Sequence, residues 1–354
     1  MTVEQTDESA QSAGSAQGQA SAEGIQPDAR SGMQSSLLYN VERFALPSLL
    51  ILVLIFFSVW PKTGSLFASA ANFQETGSDY VYIGMLALAS LLPLVCGEFD
   101  FSVGSNAGFT QIVAATAMAR FHVPLPFAIM LAIAFGAAVG LGNGNTVSRV
   151  GVNSLIVTLG TSAILLGVVE WYTGSQSINI GISPSLVNFG SERTFGVPDM
   201  CYLLLGVALV VYYVLQHTPY GRYLSSVGSN PRAARLVGLQ VDRLKLTAFV
   251  LAGALAGVAG VLLVAKNGSA TPEAGSVTDT LQALAACYLG ATSIRPGRFN
   301  VPGAMLAVYF IGFSVSGLAI AGVQSWVSQV FSGAALFIAV VVSTVIGRRR
   351  AGGA

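Results

Sequence analysis

The stretch PYGRYLSSVGSNPRAARLVGLQVDRLKLTAFVLAGALAGVAGVLLVA, residues 219–265, decides the architecture. Its second part, 246–265, is an uncharged apolar run, and about 20 such residues at 1.5 Å each cross the hydrocarbon of a bilayer as one helix. Its first part gathers Arg222, Arg232, Arg235, Arg243 and Lys245 around a short helix signal. Asn230 can cap that helix, and Pro231 fits its first position because the missing N–H costs nothing there. Ala233, Ala234, Leu236 and Val237 continue a compact apolar surface, and Gly238 permits the stop. A short, rigid, basic helix in a polar break between two membrane-length runs offers a structured surface to a partner. A basic helix lying on the membrane is the other reading.

Outward from that stretch, apolar runs recur at 46–60, 80–97, 103–119, 125–141, 154–172, 200–216, 280–291, 301–320 and 326–346. Of the 354 residues, 53% are hydrophobic and only 9% charged, where a soluble domain carries roughly a quarter charged residues. The expected fold is all-α: a polytopic transmembrane helical bundle of about ten membrane helices, with about eight as the second reading. The run 280–291 is short for a crossing. Gln282 begins it, and Thr292 and Ser293 end it before IRPGRFNVPG. That pattern fits either a broken helix with polar ends or an ordinary helix closed by a Pro/Gly turn. Three regions follow: a disordered cytoplasmic tail over 1–40, a transmembrane domain over 41–347 carrying the loop 219–245, and a basic cytoplasmic tail over 348–354. The first tail is rich in Ser, Gln, Ala and Gly, and it has Glu4, Asp7 and Glu8 where a secretory signal would be basic.

With the amino terminus inside and ten crossings, only Lys62, Arg120, Arg193 and Lys266 fall outside, and every other Lys and Arg falls inside. That follows the positive-inside rule and puts both termini in the cytoplasm. A formal net charge of +1 gives no reason to expect nucleic acid as a partner. Cys96, Cys201 and Cys287 have no metal-ligand spacing, and His122 and His217 are far apart, so neither a metal nor a histidine-based catalytic site is expected. No G-x-x-x-x-G-K-[ST] motif occurs, so any ATP hydrolysis belongs to another chain. Scattered Ser, Asp and His residues form no catalytic constellation, and the chain is not expected to be an enzyme.

Some polar residues interrupt the apolar runs. Glu98 and Asp100 in GEFDFSVGS fall in a very short inner turn, where Asp100 can cap the next helix. Glu170, beside Trp171 and Tyr172, either snorkels to an interface or faces a central cavity. Asn143, Asn145 and Asn153 flank a turn around Arg149. Closely spaced glycines in 135–144 and 253–260 permit close helix packing.

The segments GEFDFSVGS (97–105), GNGNTVSRVGVNSLIVTLGTSAILLG (142–167), 221–260 and LQALAACYLGATSIRPGRFNVPGAML (281–306) resemble, in order and spacing, permease subunits of bacterial ribose-type ABC importers. The resemblance covers most of the chain after residue 80. It implies a bacterial inner-membrane permease that pairs as a homodimer or with a closely related permease. It further implies an ATPase subunit with two nucleotide-binding modules, which hold ATP and Mg, and an extracytoplasmic solute-binding protein. This chain would carry no cofactor. The solute implied is a monosaccharide such as ribose or a related pentose or hexose. The ATPase-coupling segment would be Asn230, Pro231, Arg232, Ala233, Ala234, Arg235 and Gly238, and the family signature near a membrane turn would be Gly97, Asp100, Ser102 and Gly104. Asn143, Glu170, Gln282 and Tyr288 are candidates for the solute pathway. The chain departs from the family pattern at Glu98 and Phe99, where glycine and isoleucine are usual. It also departs at Asn153, at Ala291 in place of a glycine, and at Arg232, where an acidic residue is common. An ion-coupled secondary transporter using Glu98, Asp100 or Glu170 is the rival reading.

Overall fold

A computed structural model describes residues 29–351, with burial described from residue 42. Contacts divide the chain at Val41 and Glu42. Of the first unit only 29–41 are described, and they are helical. The chain begins with α1 (Ala29–Val59), α2 (Gly64–Phe67), α3 (Ala70–Val95), α4 (Val103–Ala119), α5 (Leu125–Asn145) and α6 (Ser154–Thr173). It continues through α7 (Pro184–Ser191), a hairpin of β1 (Arg193–Thr194) and β2 (Val197–Pro198), α8 (Asp199–His217), α9 (Pro219–Ser229) and α10 (Pro231–Leu236). It ends with α11 (Val241–Asn267), α12 (Val277–Ala291), α13 (Val301–Ile320) and α14 (Ser325–Ala351).

Every run expected to span the membrane is helical. Seven of these helices are long and apolar enough to cross: α1, α3, α5, α6, α8, α11 and α13. The chain is a polytopic helical bundle. α1 starts at Ala29, inside the stretch expected to be tail, because Met33, Leu37, Leu38 and Val41 recur at helical spacing there. Residues 1–28 and 352–354 lie outside the described residues, and Arg348–Arg350 continue α14.

α3 and α11 form the centre. Buried residues fill 78% and 67% of their apolar windows, against 11% in α1 and 22% in α5. α5 crosses α11 closely, since a Cβ on Gly136 would collide with the carbonyl of Gly253 and one on Gly140 with that of Phe249. The glycine-rich runs therefore set helix contact, as their spacing predicts.

Each central helix is followed by a break and then a short helix, α4 of 17 residues and α12 of 15. At 1.5 Å per residue these reach only about 26 and 23 Å. Their amino termini meet. The Gly104 N–H donates to Thr280 Oγ1 at 3.1 Å, and Gly275, at φ +80°, lies against Gly104 and Gly108 so closely that any Cβ would clash. Gln111, fully buried in α4, donates from Nε2 to Thr271 O at 2.6 Å and pins the second break. Ser276 and Asp279 form a reciprocal capping box that starts α12. Of the two readings of 280–291, the structure gives an uninterrupted helix closed by the turn that holds Pro296 and Gly297, and the break precedes it, over 268–276.

Candidate functional site

The break between α3 and α4, residues 96–102, concentrates the buried polar chemistry. Asp100 is 2% exposed, and its Oδ1 accepts from the Ser102 N–H at 2.9 Å and from Ser102 Oγ at 2.6 Å. Asp100 thus closes a two-residue turn. The helix cap expected of it is not formed, because Ser102 occupies the N-cap position. The free N–H groups of the turn go to α6 instead. Phe99 N–H donates to Ser154 Oγ at 3.1 Å and Phe101 N–H to Thr158 Oγ1 at 3.0 Å. A bent backbone at this depth is tolerable only when each polar group finds a partner.

From Ser102 the network runs outward. Asn143 Nδ2 donates to Ser102 Oγ at 2.9 Å, and Thr161 Oγ1 donates to Asn143 Oδ1 at 2.6 Å. Asn143 is therefore a buried bridge inside α5 rather than a turn former. Asn153 does behave as expected, capping α6 through the Leu155 and Ile156 N–H groups. Tyr288 of α12 stacks on Phe99, with ring centroids 6.3 Å apart, and meets Phe299 edge-on. Gly97, Asp100, Ser102, Gly104, Asn143 and Tyr288 thus converge on the two breaks. Gln282 is half-buried in α12 with no polar contact among the described residues. Glu170 is exposed near the carboxyl end of α6, about 18 Å along the helix from Thr158.

The segment 219–245 folds as α9, α10 and the start of α11. Asn230 Oδ1 accepts from the Arg232 and Ala233 N–H groups, each at 3.1 Å, Pro231 opens α10, and Gly238 takes φ +83° just beyond it. Ala234 does not join an outer apolar surface. It is 4% exposed and packs with Val227 and Val241. The most exposed large apolar residues are Leu236 at 89% and Val237 at 76%. Ala233 and Arg232 are exposed, and Arg235 pairs with Asp242 at 2.7 Å.

Two contacts join this segment to the α3–α4 break. Gly228 of α9 abuts Val95 O and Gly97, which sits at φ +82°, so closely that a Cβ on Gly228 would collide with the Val95 carbonyl. Lys245 Nζ donates to Glu98 Oε1 in an ion pair whose side chains are only 17% and 14% exposed. On the opposite end of α11, Lys266 bridges Glu75 at 3.0 Å and Asp79 at 2.8 Å.

A family model described as branched-chain amino acid transport system / permease component matches residues 77–340. The chain belongs to this permease family. The permease is 32% identical over 305 residues to the ribose import permease protein RbsC of Escherichia coli K12, a match covering 85% of this chain and 93% of RbsC. It is also 32% identical over 304 residues to the autoinducer 2 import system permease protein LsrD of Photorhabdus laumondii, covering 84% of this chain and 90% of that one. The corresponding LsrD of Salmonella typhimurium is 32% identical over 274 residues, covering 76% and 82%. No solved structure matches the permease. Sequence reasoning passed over Lys245, Thr161, Gln111 and Thr280 as site residues of the permease. The last three lie in apolar runs where a lone Thr or Gln is unremarkable, although Ser154, Thr158 and Thr161 recur at helical spacing.

Proposed function

We propose that this permease is the membrane subunit of an ATP-driven importer for a small polar solute, with a monosaccharide such as a pentose or hexose as cargo. It works in the bacterial inner membrane as a homodimer or beside a closely related permease. Both termini and the segment 219–245 face the cytoplasm. A partner ATPase with two nucleotide-binding modules holds ATP and Mg, and an extracytoplasmic solute-binding protein delivers the cargo over the loops 173–199 and 266–279. The relatives named for ribose and autoinducer 2 import support the cargo class.

One observation carries the mechanism: the segment expected to meet the ATPase is wedged against the α3–α4 break through Gly228 and Gly97 and tied to it by Lys245 and Glu98. A displacement of α9 and α10 then moves the turn holding Asp100 and Ser102, and through Asn143 and Thr161 it shifts α5 and α6. Close packing makes such a contact stiff, so little of the displacement is absorbed. Leu236 and Val237 supply the apolar surface that the ATPase covers, and Arg232 sets its charge preference. Ion coupling through Glu98 or Asp100 finds little support, since Glu98 is paired with Lys245 and Asp100 is sealed by Ser102.

Reconstitution into proteoliposomes tests the reading. With the partner ATPase and a loaded binding protein, sugar uptake is expected to require ATP. Uptake by the permease alone under a proton or sodium gradient would overturn it.

A further inference from the structure

A cavity of about 700 Å³ opens between the ends of α3, α8 and α12, the side of α9 and the loop 292–300. That volume lies within the about 300–1,000 Å³ range of small-ligand sites. Its rim carries Arg222, Arg295 and Arg298, all exposed, and no carboxylate lines it. Arg295 donates to Gln216, and none of the three arginines makes an ion pair among the described residues. The neighbouring serines spend their hydroxyl protons on helix carbonyls, as when Ser225 donates to Gly221 O and Ser226 to Arg222 O. The guanidinium groups therefore offer donors at this mouth, and the three like charges have no counter-charge in an ion pair among the described residues. Leu94, Leu215 and Phe299 supply the apolar part of the wall, beside Gln216, Ser225, Ser226 and Ser229.

We propose that this cavity is a headgroup site for an anionic phospholipid, with the phosphodiester held by Arg222, Arg295 and Arg298 and the glycerol end against the apolar wall. Guanidinium forks match phosphate oxygens in two-pronged geometry. Basic pockets between membrane helices at the cytoplasmic side suit such headgroups. The cavity lies where α8 ends, and α8 leaves Leu205, Leu209 and Val210 exposed along its length as a surface for acyl chains. The inference rests on the membrane-permease reading with the segment 219–245 on the cytoplasmic side.

Native mass spectrometry of the full-length permease, titrated with phosphatidylglycerol, phosphatidylcholine or inorganic phosphate, tests this. Phosphatidylglycerol is expected to bind in preference to the other two, and binding should weaken with added salt. A triple Arg222→Gln, Arg295→Gln, Arg298→Gln variant is expected to lose that binding tenfold or more with an unchanged melting temperature. The corresponding triple Lys variant, which keeps the charge, is expected to recover most of it. Equal binding of phosphatidylcholine, binding of inorganic phosphate alone, or undiminished phosphatidylglycerol on the Gln variant would each overturn the proposal. If the Gln variant keeps the lipid but no longer co-purifies with its ATPase, the cavity is a protein-docking surface and the lipid assignment falls.

Discussion

Glu98 is held by an ion pair, and Lys245 answers it from near the start of α11. A pair this enclosed loses more on being broken than an exposed one, because the survivor keeps an uncompensated charge away from water. Replacing either residue by Ala is expected to cost about 1–4 kcal/mol, between the exposed and buried limits, and to lower ATP-coupled uptake. The Glu98→Lys, Lys245→Glu exchange is expected to restore most of both, as read by thermal unfolding and transport. Asn143→Ala removes both the donor to Ser102 and the acceptor for Thr161, at an expected cost of about 1–3 kcal/mol. Normal stability and uptake in that variant would count against the network. Asn143 was legible as a polar residue in an apolar run. Its partners were not, because Ser102 is 41 residues distant and Lys245 is 147 from Glu98, and spacing along a chain carries no information about such pairs.

The segment 219–245 was the most legible element. Asn230, Pro231 and Gly238 each have one favourable place in a short helix, and each occupies it. Sidedness was harder: in a helix of six residues, alanines and leucines give little phase, and Ala234 turned inward while Leu236 turned out. Ala234→Asp is therefore expected to unfold the segment by burying a charge, and it reports on the segment's own packing. Leu236→Asp with Val237→Asp is expected to change the stability by less than about 1 kcal/mol and to abolish ATPase stimulation. Gly228→Val is expected to separate α9 from the α3 carboxyl end and uncouple the two without preventing membrane insertion. The short helices were half legible. The run 280–291 is visibly brief, but α4 read as an ordinary span, and its Asn106, Thr110 and Gln111 were the overlooked sign that it begins inside protein.

The helical bundle expected from composition and apolar runs is the one observed, since runs of membrane length have no other stable solution. Which helices sit at the centre follows from glycine contacts and long-range hydrogen bonds that a single sequence does not display. Orientation is open to direct test in a cysteine-free background. Ser229→Cys is expected to react only with reagent from the cytoplasmic side and Glu273→Cys only from the other, and the reverse pattern would invert the assignment. The account depends most on force entering through 219–245. Its most direct test is ATP hydrolysis by the assembled importer, with and without loaded binding protein, in the wild type and the Leu236→Asp, Val237→Asp variant. Stimulation in the wild type and less than about a tenth of it in an equally stable variant is the expected result. Full stimulation in that variant would contradict the account.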